Sequence, residues 1–138
     1  EAVIPIMKAN KEGRFVIISS IAAYVPMPKS AIYAAAKSSI SAYGRSAHLE
    51  TKKFNVFVTT VHPGYVRTDI HRRAGLSHLE NKVPRMLWSD PDFIVEAAEK
   101  ASKAGRMEIT PGIIYRASLP FLSSLAAQKI WRMLVSRK

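Results

Sequence analysis

Residues 13–64 decide the fold, because they read as a strand, a long helix and a second strand in succession. The first strand lies in GRFVIISS at residues 13–20, the helix is AIYAAAKSSISAYGRSAHLET at residues 31–51, and the second strand lies in VFVTTVHPG at residues 56–64. Both strands contain continuous apolar runs, which are typical of strands buried on both faces of a parallel sheet. Parallel strands need a crossover connection, which the helix supplies. We therefore predict an α/β fold.

The elements on either side of this unit extend the same pattern. Residues 1–11 are expected to be the last turns of a helix that begins earlier in the protein. Residues 67–88 are basic and irregular, which predicts a functional loop or lid. Residues 90–105 begin with Asp-Pro and end with Gly, the boundaries of a helix. Residues 107–110 predict a short third strand. The face of the 90–105 helix that packs on the sheet is expected to contain Ile94, Ala98 and Ala101.

Residues 113–138 are predicted to be a helical tail after a domain that ends at residue 112. Apolar residues between Leu119 and Leu134 recur at the spacing of an amphipathic helix. After Glu108 the chain carries five basic residues and no acid. This charge can solvate the tail or favour peripheral contact with an anionic membrane, and both alternatives remain open. No stretch approaches the roughly 20 apolar residues of a membrane span.

Composition limits the classes of partner. The chain has 21 Lys and Arg against 10 Asp and Glu, a net charge of +11, but the basic residues are dispersed and match no nucleic-acid motif. We therefore expect no specific nucleic-acid partner. Cysteine is absent, which excludes disulfides and thiolate metal sites and fits a reducing, cytoplasmic location. The four histidines show no metal-binding spacing, so we expect packed or exposed side chains and no metal.

Tyr33 and Lys37 carry the first chemical signal, because they lie one turn apart on the same helix face. On its own this pair is common by chance, and a Tyr ring beside a Lys stem would explain it. The helix, however, follows a strand that ends in Ser19-Ser20, and ligands of open α/β sheets bind at the carboxyl ends of the strands. Neighbouring side chains of a strand point in opposite directions. We therefore expect only one serine to face Tyr33.

Three motifs in order resemble the short-chain dehydrogenase/reductase family. They are Ser-Ser at a strand end, Tyr-x-x-x-Lys thirteen residues after the second serine, and Pro-Gly-x-Val-x-Thr after the next strand. In this chain they are carried by Ser20, Tyr33, Lys37 and residues 63–68. The resemblance covers about residues 1–112. It implies the C-terminal half of a Rossmann-type, doubly wound parallel sheet, with about three strands and crossover helices.

The resemblance also implies the role of each residue. Ser20 would hydrogen-bond the substrate oxygen, and Tyr33 would be the general acid/base. Lys37 would hold the nicotinamide ribose and favour the phenolate of Tyr33. Pro63-Gly64 would let the backbone approach the nicotinamide, because Gly has no side chain. The residues implied to bind the cofactor are Tyr33, Lys37, Pro63, Gly64, Val66 and Thr68.

The function that follows is hydride transfer between NAD or NADP and an alcohol or carbonyl substrate. The glycine-rich phosphate turn, the residue that reads the adenosine ribose and the family's usual catalytic Asn would lie before Glu1, so the choice between NAD and NADP stays open. The alternative is a truncated, non-catalytic interaction protein without a complete cofactor site. We also expect a homo-oligomer. Apolar side chains that precede Tyr33 predict an apolar substrate, and they belong to Ile21, Ala22, Val25, Pro26 and Met27.

Overall fold

The computed structural model describes residues 2–27, 30–69, 73 and 83–122. The α-helices are α1 (Val3–Asn10), α2 (Ala31–Thr51), α3 (Pro91–Lys103) and α4 (Ile113–Leu122). The strands are β1 (Gly13–Ile18), β2 (Val56–Val61), β3 (Tyr65–Val66), β4 (Trp88–Ser89) and β5 (Glu108–Ile109). Short 3-10 turns span Ile21–Ala23, Lys52–Phe54 and Arg85–Leu87.

The main sheet is parallel and has the strand order β1-β2-β5. Gly13 pairs with Val56 at one end of the β1–β2 ladder, and Ile18 pairs with Val61 at the other. Because the strands run in the same direction, their carboxyl ends lie side by side. A second, two-stranded parallel sheet joins β3 to β4. The predicted three parallel strands with crossover helices are confirmed.

Helices cover both faces of the main sheet. On one face, Ala47 of α2 packs against Ile17 and Val58. On the other face, Ile94 and Ala98 of α3 pack against Val61. Strand β2 is almost completely buried, as expected for a strand between two helical layers. This arrangement confirms half of a doubly wound sheet.

Strand β1 is buried on one face only, so the prediction of burial on both faces is wrong for this strand. Ile17 is buried on the side of α2, whereas Val16 and Ile18 are 39% and 51% exposed. The two exposed side chains line an open cleft of about 500 Å³ against α3. The cleft separates them from that helix, and this face of β1 stays open in the part of the chain that the structure describes.

Helix α3 agrees with its sequence prediction. It follows Asp90, and its buried residues include Ile94, Ala98 and Ala101. After the helix, Gly105 adopts a φ of +63°, the left-handed conformation that ends helices. Strand β5 is shorter than the predicted 107–110 segment.

The structure describes two of the predicted segments only in part. The irregular 67–88 segment ends in a 3-10 turn and the first residue of β4, while residues 70–72 and 74–82 lie outside the described residues. Helix α4 begins at Ile113, where the predicted helical tail begins, and residues 123–138 of that tail lie outside the described residues. None of the helices described is both long and apolar enough to span a bilayer.

Candidate active site

The carboxyl ends of β1 and β2 are joined by backbone hydrogen bonds. The Ser19 amide donates to the Val61 carbonyl over 2.8 Å, and the Ile21 amide donates to the Pro63 carbonyl over 3.0 Å. The two turns that leave these strands are therefore fixed beside each other. Ser20, Pro63 and Gly64 lie on these turns, and Tyr33 and Lys37 lie in the first turns of α2.

The two serines at the end of β1 have different surroundings. Ser19 is buried, and its hydroxyl donates to the Lys37 carbonyl over 3.0 Å and lies 2.7 Å from Ser41 Oγ. Ser20 is partly exposed and caps the next turn, accepting a bond from the Ala22 amide over 3.2 Å. Ser19 therefore fastens β1 to α2. The hydroxyl of Ser20 stays at the edge of the sheet.

Tyr33 and Lys37 lie on the same face of α2. The ammonium nitrogen of Lys37 is 5.7 Å from the centroid of the Tyr33 ring. It also donates to the Ile18 carbonyl over 3.1 Å, which places it at the end of β1. The Tyr33 side chain is 45% exposed. The structure thus brings a phenol and a cation together at the strand end that carries Ser20.

The Pro63-Gly64 turn packs against Tyr115 of α4. A Cβ atom at Gly64 would overlap the ring of Tyr115. The Tyr115 hydroxyl donates to the Leu87 carbonyl over 2.6 Å and accepts from the Tyr65 amide over 3.2 Å. Burial raises the pKa of this phenol above its ordinary value. Packing within the chain therefore requires Gly64, which is a different reason from the expected approach of a nicotinamide.

The rest of the Pro-Gly-x-Val-x-Thr motif lies on and after β3. Val66 is partly buried, and Thr68 is exposed. The amide of Arg67 donates to the Ser89 carbonyl over 2.9 Å, and its guanidinium lies 2.9 Å from the carboxylate of Asp90. Asp90 therefore pairs with Arg67 and makes no side-chain cap bond to α3. These contacts hold β3 against β4 and the start of α3.

Sequence reasoning missed a polar cluster centred on Glu108. One carboxylate oxygen of Glu108 lies 3.1 Å from His62 Nε2 and accepts bonds from Tyr24 over 3.2 Å and from Arg45 over 3.0 Å. The hydrogen bond between Glu108 and His62, followed by that from Arg45, lowers the pKa of Glu108 although burial opposes it. Burial, with the charge of Glu108, raises the pKa of Tyr24 to about 12.

The members of this cluster are far apart in sequence, so no motif in the sequence indicates it. The bonded pairs are separated by 38 to 84 residues. The available signal concerned His62 alone, which directly follows the buried strand β2 and is therefore expected at the carboxyl edge of the sheet. Glu108 carried no such signal, because its position beside Thr60 near the end of β2 is set by the pairing of β5.

Comparisons with known proteins identify the family of the chain. The family model for the short chain dehydrogenase matches residues 1–77. Dehydrogenase/reductase SDR family member 4 of Bos taurus is 31% identical over 116 residues, covering 83% of this chain and 37% of that protein. Retinol dehydrogenase 8 of Homo sapiens is 33% identical over 104 residues, covering 72% of this chain and 33% of that protein.

A solved structure extends the similarity to the fold. The short-chain dehydrogenase from Sphingobium yanoikuyae in complex with NADPH has a TM-score of 0.74 at 24% identity, covering 98% of this chain and 49% of that chain. With three parallel strands, helices on both faces and the matched motifs, the chain belongs to the short-chain dehydrogenase/reductase family. It has the fold of part of that family's Rossmann-type domain, and it spans about a third of the length of the two curated relatives named here.

Proposed function

We propose that the protein is an oxidoreductase that moves a hydride between a nicotinamide cofactor and an alcohol or carbonyl carbon. The observation that supports the proposal is the Lys37 ammonium group, which lies beside the Tyr33 ring and bonds the Ile18 carbonyl at the end of β1, two residues before Ser20. A phenol can donate or accept the proton that accompanies hydride transfer. A neighbouring ammonium group favours the phenolate by its charge. The Ser20 hydroxyl can hydrogen-bond the substrate oxygen, where charge develops.

The described residues fit a nicotinamide cofactor at this edge of the sheet. Lys37 carries three N–H donors, so its bond to the Ile18 carbonyl is compatible with further bonds to ribose hydroxyls. Val66 lies in β3, and the exposed Thr68 follows that strand. The same segment begins at Pro63, whose carbonyl accepts the Ile21 amide of the Ser20 turn. Together with Lys37, this segment would hold the nicotinamide end. The cofactor would supply or accept the hydride, and the choice between NAD and NADP stays open.

The substrate that we propose is an apolar alcohol or carbonyl compound. Ile21, Val25 and Met27 are partly exposed beside the Ser20 turn, and Pro26 is exposed. Ala22 is 3% exposed and belongs to the core, so it is removed from the predicted set of substrate-facing residues. The similarity to a retinol dehydrogenase supports an apolar substrate.

The experiment that tests the proposal is the Tyr33→Phe substitution in the full-length protein. It removes the hydroxyl and little volume, so turnover should fall by at least about a hundredfold, while cofactor binding measured by nicotinamide fluorescence is retained. Tyr43→Phe on the same helix is the matched control, because that ring packs against the core cluster of Ile17. Its turnover should stay within about threefold of wild type. If Tyr33→Phe keeps turnover within tenfold of wild type, the acid/base assignment is wrong.

Three further expectations remain predictions. A homo-oligomer, a cytoplasmic location and contact between the basic tail and an anionic membrane follow from the sequence and the family. Residues 123–138, which would make the membrane contact, lie outside the described residues. Flotation with anionic liposomes, comparing the full-length protein with a version cut after residue 122, tests the role of the tail.

A further inference from the structure

The short turn that begins with Ser20 is held at both ends by one buried histidine. Nδ1 of His62 faces the Ser20 carbonyl at 3.4 Å, and Nε2 lies 3.0 Å from the Tyr24 hydroxyl. The His62 ring also packs against the Tyr24 ring, with centroids 4.8 Å apart and the ring planes tilted by 56°. Ser20 and Tyr24 flank the 3-10 turn Ile21–Ala23. One side chain from the end of β2 thus spans the whole turn.

Glu108 fixes this histidine from the next strand. Its carboxylate lies 3.1 Å from His62 Nε2 and also accepts the Tyr24 hydroxyl over 3.2 Å. Arg45 of α2 donates to the same oxygen over 3.0 Å. This bond connects the cluster to the helix that carries Tyr33 and Lys37. The cluster therefore joins the Ser20 turn, the ends of β2 and β5, and α2. Such networks restrict the orientation of each member more than isolated bonds do.

His62 cannot act on a substrate directly, because its side chain is 1% exposed. Burial of an imidazole lowers the stability of the folded protein unless its nitrogens are hydrogen-bonded. In His62 both nitrogens face groups of the Ser20 turn. An apolar side chain of similar volume would fill the space but would remove the contact at the Ser20 carbonyl. The turn would then be held by three bonds away from that carbonyl: the Ile21 amide to the Pro63 carbonyl, the Ser38 hydroxyl to the Ala23 carbonyl and the Tyr24 hydroxyl to Glu108. The role left for the ring is therefore to orient this turn.

We propose that His62, anchored by Glu108, is a positioning residue that holds the Ser20 hydroxyl in the place where it binds the substrate oxygen. This inference rests on the proposed function, because it assigns a purpose to the orientation of Ser20. Misplacement of a catalytic group by a fraction of an ångström lowers the rate without abolishing binding. The expected signature is a loss in kcat with little change in the KM for the cofactor.

The test compares two buried histidines in the full-length protein. His48 is 4% exposed, and its Nδ1 lies 2.8 Å from the Val58 carbonyl, away from the strand ends. His62→Leu should lower kcat by at least about tenfold with a cofactor KM within about threefold of wild type. His48→Leu should leave kcat within about threefold. His62→Asn, which keeps a polar group on the side of Nδ1 but has none at the position of Nε2, should recover part of the lost kcat. Equal losses at the two positions, or no recovery with Asn, would overturn the proposal.

A second measurement does not depend on turnover. Amide hydrogen exchange of Ile21 to Tyr24 should accelerate by at least about tenfold in His62→Leu and stay unchanged in His48→Leu. Tyr24→Phe keeps the ring and removes the hydroxyl, so it should accelerate the same amides even where His62→Leu fails to fold. Unchanged exchange in the variants that fold would overturn the proposal. Retained turnover in Tyr33→Phe would instead contradict the proposed function, and the exchange result would still decide the role of His62.

Discussion

Two adjacent threonines in β2 should respond in opposite ways to the same substitution. Thr59 and Thr60 are both 0% exposed. The Thr59 hydroxyl donates to the Arg106 carbonyl over 2.6 Å, whereas the Thr60 hydroxyl has no hydrogen-bond partner among the described residues. Thr60 instead packs against Gly44 of α2, where an added Cβ would overlap its hydroxyl oxygen. Valine has the same shape as threonine with a methyl group in place of the hydroxyl.

The magnitude follows from burial and hydrogen bonding. A buried hydroxyl without a partner costs about 1–3 kcal/mol, so Thr60→Val should raise the free energy of unfolding by about 1 kcal/mol after some crowding against Gly44. Thr59→Val should lower it by about 1–3 kcal/mol, because the Arg106 carbonyl loses its donor. The two variants should therefore differ by roughly 2–4 kcal/mol.

Urea unfolding of the full-length protein and both variants checks this expectation, provided that the three transitions have equal m-values. Each variant is the control for the other, because the two threonines lie in the same strand and are equally buried. A Thr60→Val variant as unstable as Thr59→Val would refute the reasoning. It would show that the hydroxyl of Thr60 has a partner in the folded protein.

Three other predictions concern the site. Ser20→Ala should lower kcat more than Ser19→Ala, whereas Ser19→Ala should lower the melting temperature more; steady-state kinetics and thermal unfolding distinguish them. Tyr115→Phe removes both hydrogen bonds of the hydroxyl, so stability should fall by about 1–3 kcal/mol in urea unfolding, with a higher KM for the cofactor. The pKa of Glu108 is lowered on folding. The ionised carboxylate therefore contributes fully to the free energy of unfolding above its ordinary pKa of 4.5, and this contribution is lost as pH falls through the lowered pKa. The stability difference between wild type and Glu108→Gln should therefore vanish in acid.

The main elements could be predicted from sequence because local signals define them. Strand β2 is a continuous apolar run between turn residues, and helix α2 has no Pro across its length. Alternation along a strand predicted that the two serines would differ in their surroundings, and Ser19 is buried whereas Ser20 is partly exposed. That Ser20 faces Tyr33 stays a prediction. The burial of β1 could not be predicted in the same way. Its run is apolar on both faces, but the exposure of Val16 and Ile18 depends on what packs beside them.

The non-local parts of the site had no sequence signal of comparable strength. Strands β3 and β4 contain two residues each and pair across more than twenty positions of chain. A two-residue strand is too short to show a period. Its partner is set by distant contacts such as that between Tyr115 and Leu87, 28 residues apart. The same reason explains why the bond between His62 and Glu108 could not be found from spacing.

The turn after β2 is fixed from two sides by residues that occur late in the chain. On one side, His62 and Pro63 contact the Ser20 turn, and Glu108 orients the histidine. On the other side, the ring of Tyr115 fills the space that a side chain at position 64 would need. Neither Glu108 nor Tyr115 belongs to the family's sequence motifs, yet each limits where the motif residues can lie. The geometry of the proposed site therefore depends on β5 and α4 as much as on the Tyr-x-x-x-Lys helix, and we expect substitutions in those elements to change activity without touching cofactor or substrate.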